Sequence, residues 1–305
     1  MIIDYEYPNV DSALVLGFDD WGVAATDLLM QRQIEVTAID PEYRNVQNAE
    51  LLGAFGANIQ FDVKHVDLDR FDLVVVTPGN AYPELVAQAK QQNIRVWSEV
   101  ELAWQFSNQI TPLIALAGDA MGVAKILHTI FRAEGWEVLV GGPAFNPMSY
   151  VAATTERFDV VIGLFEPNQL EHTYEMIPFV SAIVGDLSPT AGRVYENTES
   201  VCVYDADLAG SAELVAQAEV TEGASAIGFT KGTPGPGMVG IVEDLLVDRA
   251  YVDRPHEVAA EIAQFNGEIS TEVLLAVTIS LAFDVDAATV ARVLPQLIRD
   301  YPVID

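Results

Sequence analysis

Basic side chains are scarce in this chain. Its 305 residues hold 15 Lys and Arg against 45 Asp and Glu, a formal net charge of −30. Only Lys64, Lys90, Lys125 and Lys231 are lysines. A surface so acidic repels phosphate backbones and anionic lipid, which excludes nucleic acid and membrane surfaces as partners. Cysteine is limited to Cys202, so an internal disulfide is impossible. Cys202 lies in the apolar run "SVCVY" and reads as a buried strand residue, not a nucleophile. The four histidines, His65, His128, His172 and His256, form no pair at metal-ligand spacing, so no histidine metal site is expected. No apolar run reaches about 18 residues, which argues against a membrane span. The opening "MIIDYEYPNV" lacks the basic region of a signal peptide. The expectation is a soluble cytoplasmic protein. Serine-triad chemistry is also without its elbow signature.

Half the residues are hydrophobic and one fifth charged, the balance of a globular chain. At this length two cores are expected. Apolar runs at 13–17, 34–40 and 71–79 read as strands, with helical patterns between and after them. Strands alternating with helices imply a parallel sheet covered on both faces. The polar "SNQITP" (107–112) reads as a junction, after which further strands are expected at 113–117, 137–140, 158–163, 179–184 and 200–204. The fold class is therefore α/β, with a Rossmann-like domain over 1–110 and a second α/β domain over 111–305. "TKGTPGPGMVG" (230–240) is glycine-rich, but hairpin-like strands come after it instead of a helix, so it reads as a turn. The chain closes with two helical patterns, the second capped by Asp286.

Two loops sit where nucleotides bind. The first, "GFDDWG" (17–22), follows a strand and opens a helix, and the next strand ends in Asp40. That is the setting of a dinucleotide fingerprint, yet Asp19 stands at the middle glycine, where backbone would approach a pyrophosphate. A carboxylate there repels the ligand by about 1 kcal/mol in water and about 4 at a partly buried site. The alternative reading is a tight turn with Asp19 or Asp20 capping the helix. Any ligand site of this domain is expected at strand ends near Gly17, Trp21, Asp40, Thr77, Pro78 and Gly79. The second loop, "GDAMGVAK" (118–125), has the strand and helix context of a P-loop. Gly118 is in place, but Gly122 and Val123 stand where Lys and Thr would hold phosphate and Mg²⁺, and Asp119 adds a negative charge. Lys125 lies three residues beyond the required position.

The order of these motifs resembles the Mur ligase family of ATP-dependent acid–amino-acid ligases, and within it the D-glutamate-adding branch. The resemblance runs collinearly from about residue 12 to 302. Its most specific stretch is "DLVVVTPGNAYPELVAQAKQQNIRVWSEVELAW", similar to the family's Ser-Pro-Gly turn and Glu-Leu helix. "PLIALAGDAMGVAKILHTIFRAEGWEVLVGGPAFNPM" resembles the segment that in the family carries Gly-Thr-Asn-Gly-Lys-Thr-Thr and a downstream Asn-Ile-Gly-Thr-Pro. "FDVVIGLFEPNQLE" and "RVYENTESVCVYDAD" come next in family order. The resemblance implies a UDP-substrate-type first domain, with Asp40 and Thr77-Pro78-Gly79 at uridine-contacting positions, and a P-loop central domain.

The departures fall on the chemistry that the resemblance implies. The Lys and Thr positions hold Gly122 and Val123, and the Asn position holds Pro143. The Mg²⁺-binding Glu position holds Leu164, with Glu166 nearby, and the carbamylated Lys position falls on Ala191 or Gly192. A late His-Asn pair has become Gly267-Glu268. The resemblance ends before the family's third domain, which is expected to be absent. These departures imply a reduced, degenerate ATPase domain with no catalytic residue, no metal ligand and no cofactor, where active relatives use ATP and Mg²⁺. The expected role is binding or regulation linked to peptidoglycan synthesis, through a weakly held UDP-sugar or a protein partner. The alternative is an active D-glutamate ligase with displaced ligands, or with a partner chain supplying what is missing. A nicotinamide-dependent oxidoreductase ranks last, since Gly-x-Gly-x-x-Gly and a catalytic His or Tyr-Lys pair are both lacking.

Overall fold

The computed structural model describes residues 8–63, 65–143, 145–185, 187–251 and 260–303. The first seven residues of "MIIDYEYPNV" and His256 lie outside the described residues. The chain forms two compact units. The first takes residues through Ile110 and adds Gly141–Glu156 and Asn168–Met176; the second takes the remainder from Thr111. The chain first leaves unit one within "SNQITP", but a single cut at 110/111 omits the two later segments that return to it.

Unit one opens with β1 (Ser12–Leu16), α1 (Asp20–Gln31), β2 (Glu35–Asp40), α2 (Val46–Ala54) and β3 (Asn58–Phe61). Then come β4 (Leu73–Val76), α3 (Pro83–Gln91), β5 (Arg95–Ser98) and α4 (Glu99–Phe106). Its sheet is parallel throughout, in the order β3-β2-β1-β4-β5. Successive side chains of a strand point to opposite faces, and both faces here are apolar. Ala13 and Val15 of β1, with Leu73 and Val75 of β4, enter a core shared with Leu28 and Leu29 of α1 and Leu102 and Phe106 of α4. Leu14, Leu16 and Val74 enter another with Val86 and Ala89 of α3. The strand order reverses direction beside β1, where the connections from β1 and β4 leave toward opposite edges. The crevice at the carboxyl ends of β1 and β4 is the usual ligand position of such sheets.

Unit two contains β6 (Leu113–Gly118), α5 (Met121–Glu134) and β7 (Val138–Gly141). The chain then passes through α6 (Met148–Ala153), part of the first returning segment of unit one. It continues with β8 (Val160–Phe165), β9 (Val180–Val184), α7 (Pro189–Gly192), β10 (Val201–Asp205), α8 (Ser211–Gln217), β11 (Ser225–Thr230), β12 (Met238–Val242), β13 (Leu245–Asp248), β14 (Ala260–Gln264), α9 (Thr271–Leu281) and α10 (Ala287–Asp300). The nine strands run in the order β14-β13-β12-β11-β10-β9-β6-β8-β7. The glycine-rich 230–240 links β11 to β12, and β12–β13 is the antiparallel hairpin expected from its alternation. Helix α9 is apolar nearly all round and buried on most of its surface. Its Thr278 and Ser280 hydroxyls donate to the carbonyls of Leu274 and Val277, which satisfies them inside the core. Asp286 caps α10 by accepting from the Ala288 amide at 2.9 Å. Cys202 is buried on β10, and burial pushes its thiol pKa up, the state of an inert structural thiol. No described helix is long and apolar enough to cross a membrane.

Candidate functional site

The crevice of unit one gathers the turns after β1, β2 and β4. Gly17 leaves β1 with φ +103, a region that favours glycine, and a β-carbon there would meet the Thr77 hydroxyl. That hydroxyl donates to the Leu16 carbonyl at 3.1 Å and ties the β4 turn to β1. Asp19 caps α1: its Oδ1 accepts the Gly22 amide at 3.0 Å, the second of the two readings of "GFDDWG". Its Oδ2 accepts the Gly79 amide, 60 residues away in sequence, at 3.1 Å. Burial pushes the Asp19 pKa up, against the lowering effect of those two amides.

Asp40 is completely buried at the end of β2. Its Oδ2 accepts the Phe18 amide at 2.6 Å and its Oδ1 the Glu42 amide at 2.8 Å. The Arg44 guanidinium grips both oxygens, at 3.0 Å to Oδ2 and 3.2 Å to Oδ1. Asp40 is thus fully committed within the protein. Trp21 sits in the first turn of α1 with its indole Nε1 buried and without a hydrogen-bond acceptor. The structure therefore brings Gly17, Asp40, Thr77, Pro78 and Gly79 to one strand-end crevice, and Asp19 with them.

The returning segments are fixed by two acids of α4. Glu99, 1% exposed, accepts the Ser149 amide at the start of α6 at 2.5 Å, and its Oε2 is buried without a partner. Burial drives its pKa up to about 7. Glu101 accepts the amides of Tyr174 and Glu175 at 2.8 and 3.1 Å, and burial raises its pKa too. A cleft of about 420 Å³ at the ends of β4 and β5 is lined by Thr77, Pro78, Ser98, Gln169 and His172 among others.

In unit two the P-loop-like segment is reduced to two connecting residues, Asp119 and Ala120. Gly118 holds φ +94 and packs so closely on Val184 that a β-carbon would strike its carbonyl. The Asp119 amide donates to the Val184 carbonyl at 3.3 Å and the Ala120 amide to the Gly118 carbonyl at 2.9 Å. Both are spent inside the protein, where a phosphate loop needs free donors. An ideal β-carbon on Gly122 would lie 2.6 Å from Oε1 of Glu272, in the first turn of α9. Val123 is completely buried in the core with Ile126, Leu127 and Val273. Lys125 is exposed on the flank of α5, a turn past the helix start.

Elsewhere in unit two the departures from the family pattern are equally embedded. Leu164 is core and Ala191 is completely buried, while Glu166 is exposed. No group of three or more His, Cys, Asp or Glu among the described residues is placed to hold a metal. At the positions that the resemblance gives for the magnesium-binding hydroxyl, the phosphate-binding Lys and the carbamylated Lys, the structure has Val123 in the core, Gly122 facing the Glu272 carboxylate, and Ala191 or Gly192, both buried.

Sequence reasoning placed the crevice residues but missed Arg44, Glu99, Glu101 and Glu272. Arg44 could have been flagged by its spacing of four from Asp40. The others show only that they are acids, among 45.

No protein-family model matches the chain. It is 30% identical over 306 residues to a UDP-N-acetylmuramoylalanine–D-glutamate ligase of Streptomyces coelicolor, covering 90% of this chain and 64% of that enzyme. The enzyme of the same name from Streptomyces avermitilis is 31% identical over 271 residues, covering 82% and 58%. The chain thus spans less than two thirds of the length of these relatives. Its fold matches the crystal structure of UDP-N-acetylmuramate:L-alanyl-gamma-D-glutamyl-meso-diaminopimelate ligase from Neisseria meningitides with a TM-score of 0.54 at 10% identity, over 97% of this chain and 100% of that one. Collinear motifs, sequence identity and a shared α/β architecture agree that the chain belongs to the Mur ligase family, on the side of its D-glutamate ligases.

Proposed function

We propose that this protein uses the Mur ligase fold without the ligase reaction, as a binding or regulatory protein linked to peptidoglycan synthesis. The reading treats unit one as a UDP-substrate-type domain and unit two as a degenerate ATPase domain. The observation that carries it is Val123. Forming an acyl phosphate needs metal and cationic stabilisation of phosphoryl oxygens. Here the residue in the magnesium-hydroxyl position is a fully buried core side chain, and its neighbour Gly122 faces the Glu272 carboxylate. Gly118, Asp119 and Lys125 are left with no phosphate role, and Gly17, Trp21, Asp40 and Thr77-Pro78-Gly79 form a UDP-sugar site of weak affinity. The ligand under this reading is a weakly held UDP-sugar or a protein partner.

Purified protein given ATP, Mg²⁺, D-glutamate and UDP-N-acetylmuramoylalanine is expected to release no phosphate above blank. Mg-ATP is also expected to leave the melting temperature unchanged, whereas a ligand at 100 times its Kd stabilises by about 2.7 kcal/mol. Phosphate release that depends on D-glutamate would overturn the proposal in favour of an active ligase.

A further inference from the structure

We infer that Asp19 is an autoinhibitory clasp that keeps a nucleoside diphosphate out of the crevice of unit one. The inference deepens the reading of that crevice as a UDP-type site and rests on it. Two donors aim at the switch point from different turns: the Gly22 amide in the first turn of α1 and the Gly79 amide in the turn after β4. One carboxylate takes both, at 3.0 and 3.1 Å. The backbone is built around it. A β-carbon at Gly79 would collide with the Asp19 carboxylate, and one at Gly22 with the Gly17 carbonyl. The Gly79 turn therefore closes on the Asp19 side chain, and the start of α1 on the backbone carbonyl of Gly17.

The guanidinium that could draw in an anion is already engaged. Arg44, beside the crevice, is held by Asp40 in a bond geometry that uses both carboxylate oxygens. Asp40 is saturated in turn by the amides of Phe18 and Glu42. The Asn45 amide group, on the far side of the turn, donates to the Phe18 carbonyl at 3.1 Å and fixes it there. An incoming diphosphate would have to displace a desolvated carboxylate from its two donors and then sit beside its charge. Removing that one side chain frees the donors and removes the repulsion together.

The test uses UDP as the probe and three variants of the whole protein. Asp19→Gly restores the middle glycine of the turn. Asp19→Ser retains a helix cap but is too short to span to Gly79. Asp20→Asn removes an exposed charge next door and leaves the clasp. Both Asp19 variants are expected to bind UDP about tenfold tighter than the parent or better, with Asp20→Asn behaving as the parent. Amide exchange gives a reading that needs no ligand: in Asp19→Ser the Gly79 amide loses protection while Gly22 retains it. The inference is overturned if folded Asp19 variants bind UDP no better than the parent. It is equally overturned if Asp20→Asn gains as much, which would make the effect one of bulk charge, or if Gly79 exchanges alike in both proteins. Phosphate release from ATP is a separate readout, so failure here is distinguishable from failure of the functional proposal.

Discussion

The turn after β1 and the turn after β6 occupy equivalent places, each leading from a parallel strand into a helix N-terminus. The chain has closed them in different ways. After β1 the closure is polar: Asp19 supplies a carboxylate to two backbone amides and the crevice around it stays lined by hydrogen-bonding groups. After β6 the closure is by packing: Val123 is drawn into the core, Gly118 fits flush against Val184, and only two residues connect strand to helix. A polar closure can be undone at one residue, because the donors survive. A packed closure cannot, because the atoms that would serve a ligand now serve the core.

The contrast is broken most forcefully by restoring chemistry to unit two. Ala191→Lys buries an unpaired ammonium at one of the two positions that the resemblance gives for the carbamylated Lys. It is expected to cost several kcal/mol, seen as a large fall in melting temperature or as insoluble protein. A variant as stable as the parent would show that unit two retains room for its old ligand. Next is Arg44→Met, which strips Asp40 of its ion pair. The loss is expected at about 2 kcal/mol by denaturant titration, below the full cost of breaking a buried pair because Arg44 is 37% exposed. A negligible change would mean that the amides of Phe18 and Glu42 suffice, and that Asp40 is freer to bind a ligand than its geometry implies.

The pH response sharpens the picture of unit one. Glu99 has its folded pKa raised to about 7 from 4.5, so folding favours its protonated form. Its contribution is complete below pH 4.5 and is lost as pH rises through about 7. Melting temperatures of the parent should fall across that window, by the equivalent of a few kcal/mol. Glu99→Gln should flatten the slope, and an unchanged slope would assign it to other groups. The smallest effect expected is none. Asp119→Thr, Met121→Gly, Gly122→Lys and Val123→Thr together should give no thermal shift with millimolar Mg-ATP, since the Glu272 carboxylate fills the space where the side chain at 122 would begin. A clear shift would return the β6 turn to the class of closures that a few residues reverse.

Much of this was legible in the sequence. Alternating apolar runs such as "LVVV" and "ALVL" announce strands buried on two faces, and the turn residues mark their ends. Asp19 three residues before Gly22 announced the cap that opens α1. What pattern could not convey is pairing across distance. Nothing in "SEVEL" tells that Glu99 will meet Ser149 or that Glu101 will meet Tyr174, because a buried acid and a solvated one look alike until the segments that cover them are in place. Gly122 and Val123 stood out as departures from the pattern that the resemblance implies, but only the packing of α5 on α9 shows Glu272 standing against Gly122. The division at 110/111 missed the two returning segments for the same reason, since they are short and carry no composition of their own.

Those returning segments also set a timetable for synthesis. Ala152 and Ala153 pack against the α1 and α4 face of unit one, and Ser149 and Glu175 meet the acids of α4. A nascent chain that has emerged only to Ile110 has its five strands but not the cover for that face, and Glu99 has no amide to accept. Unit one therefore closes only after Met176 has left the ribosome, when three strands of the next sheet, β6 to β8, have emerged without their partners β9 to β14. Unfinished chains stalled before that point would present an apolar helical face to chaperones, and slow translation between residues 110 and 176 would prolong that exposure.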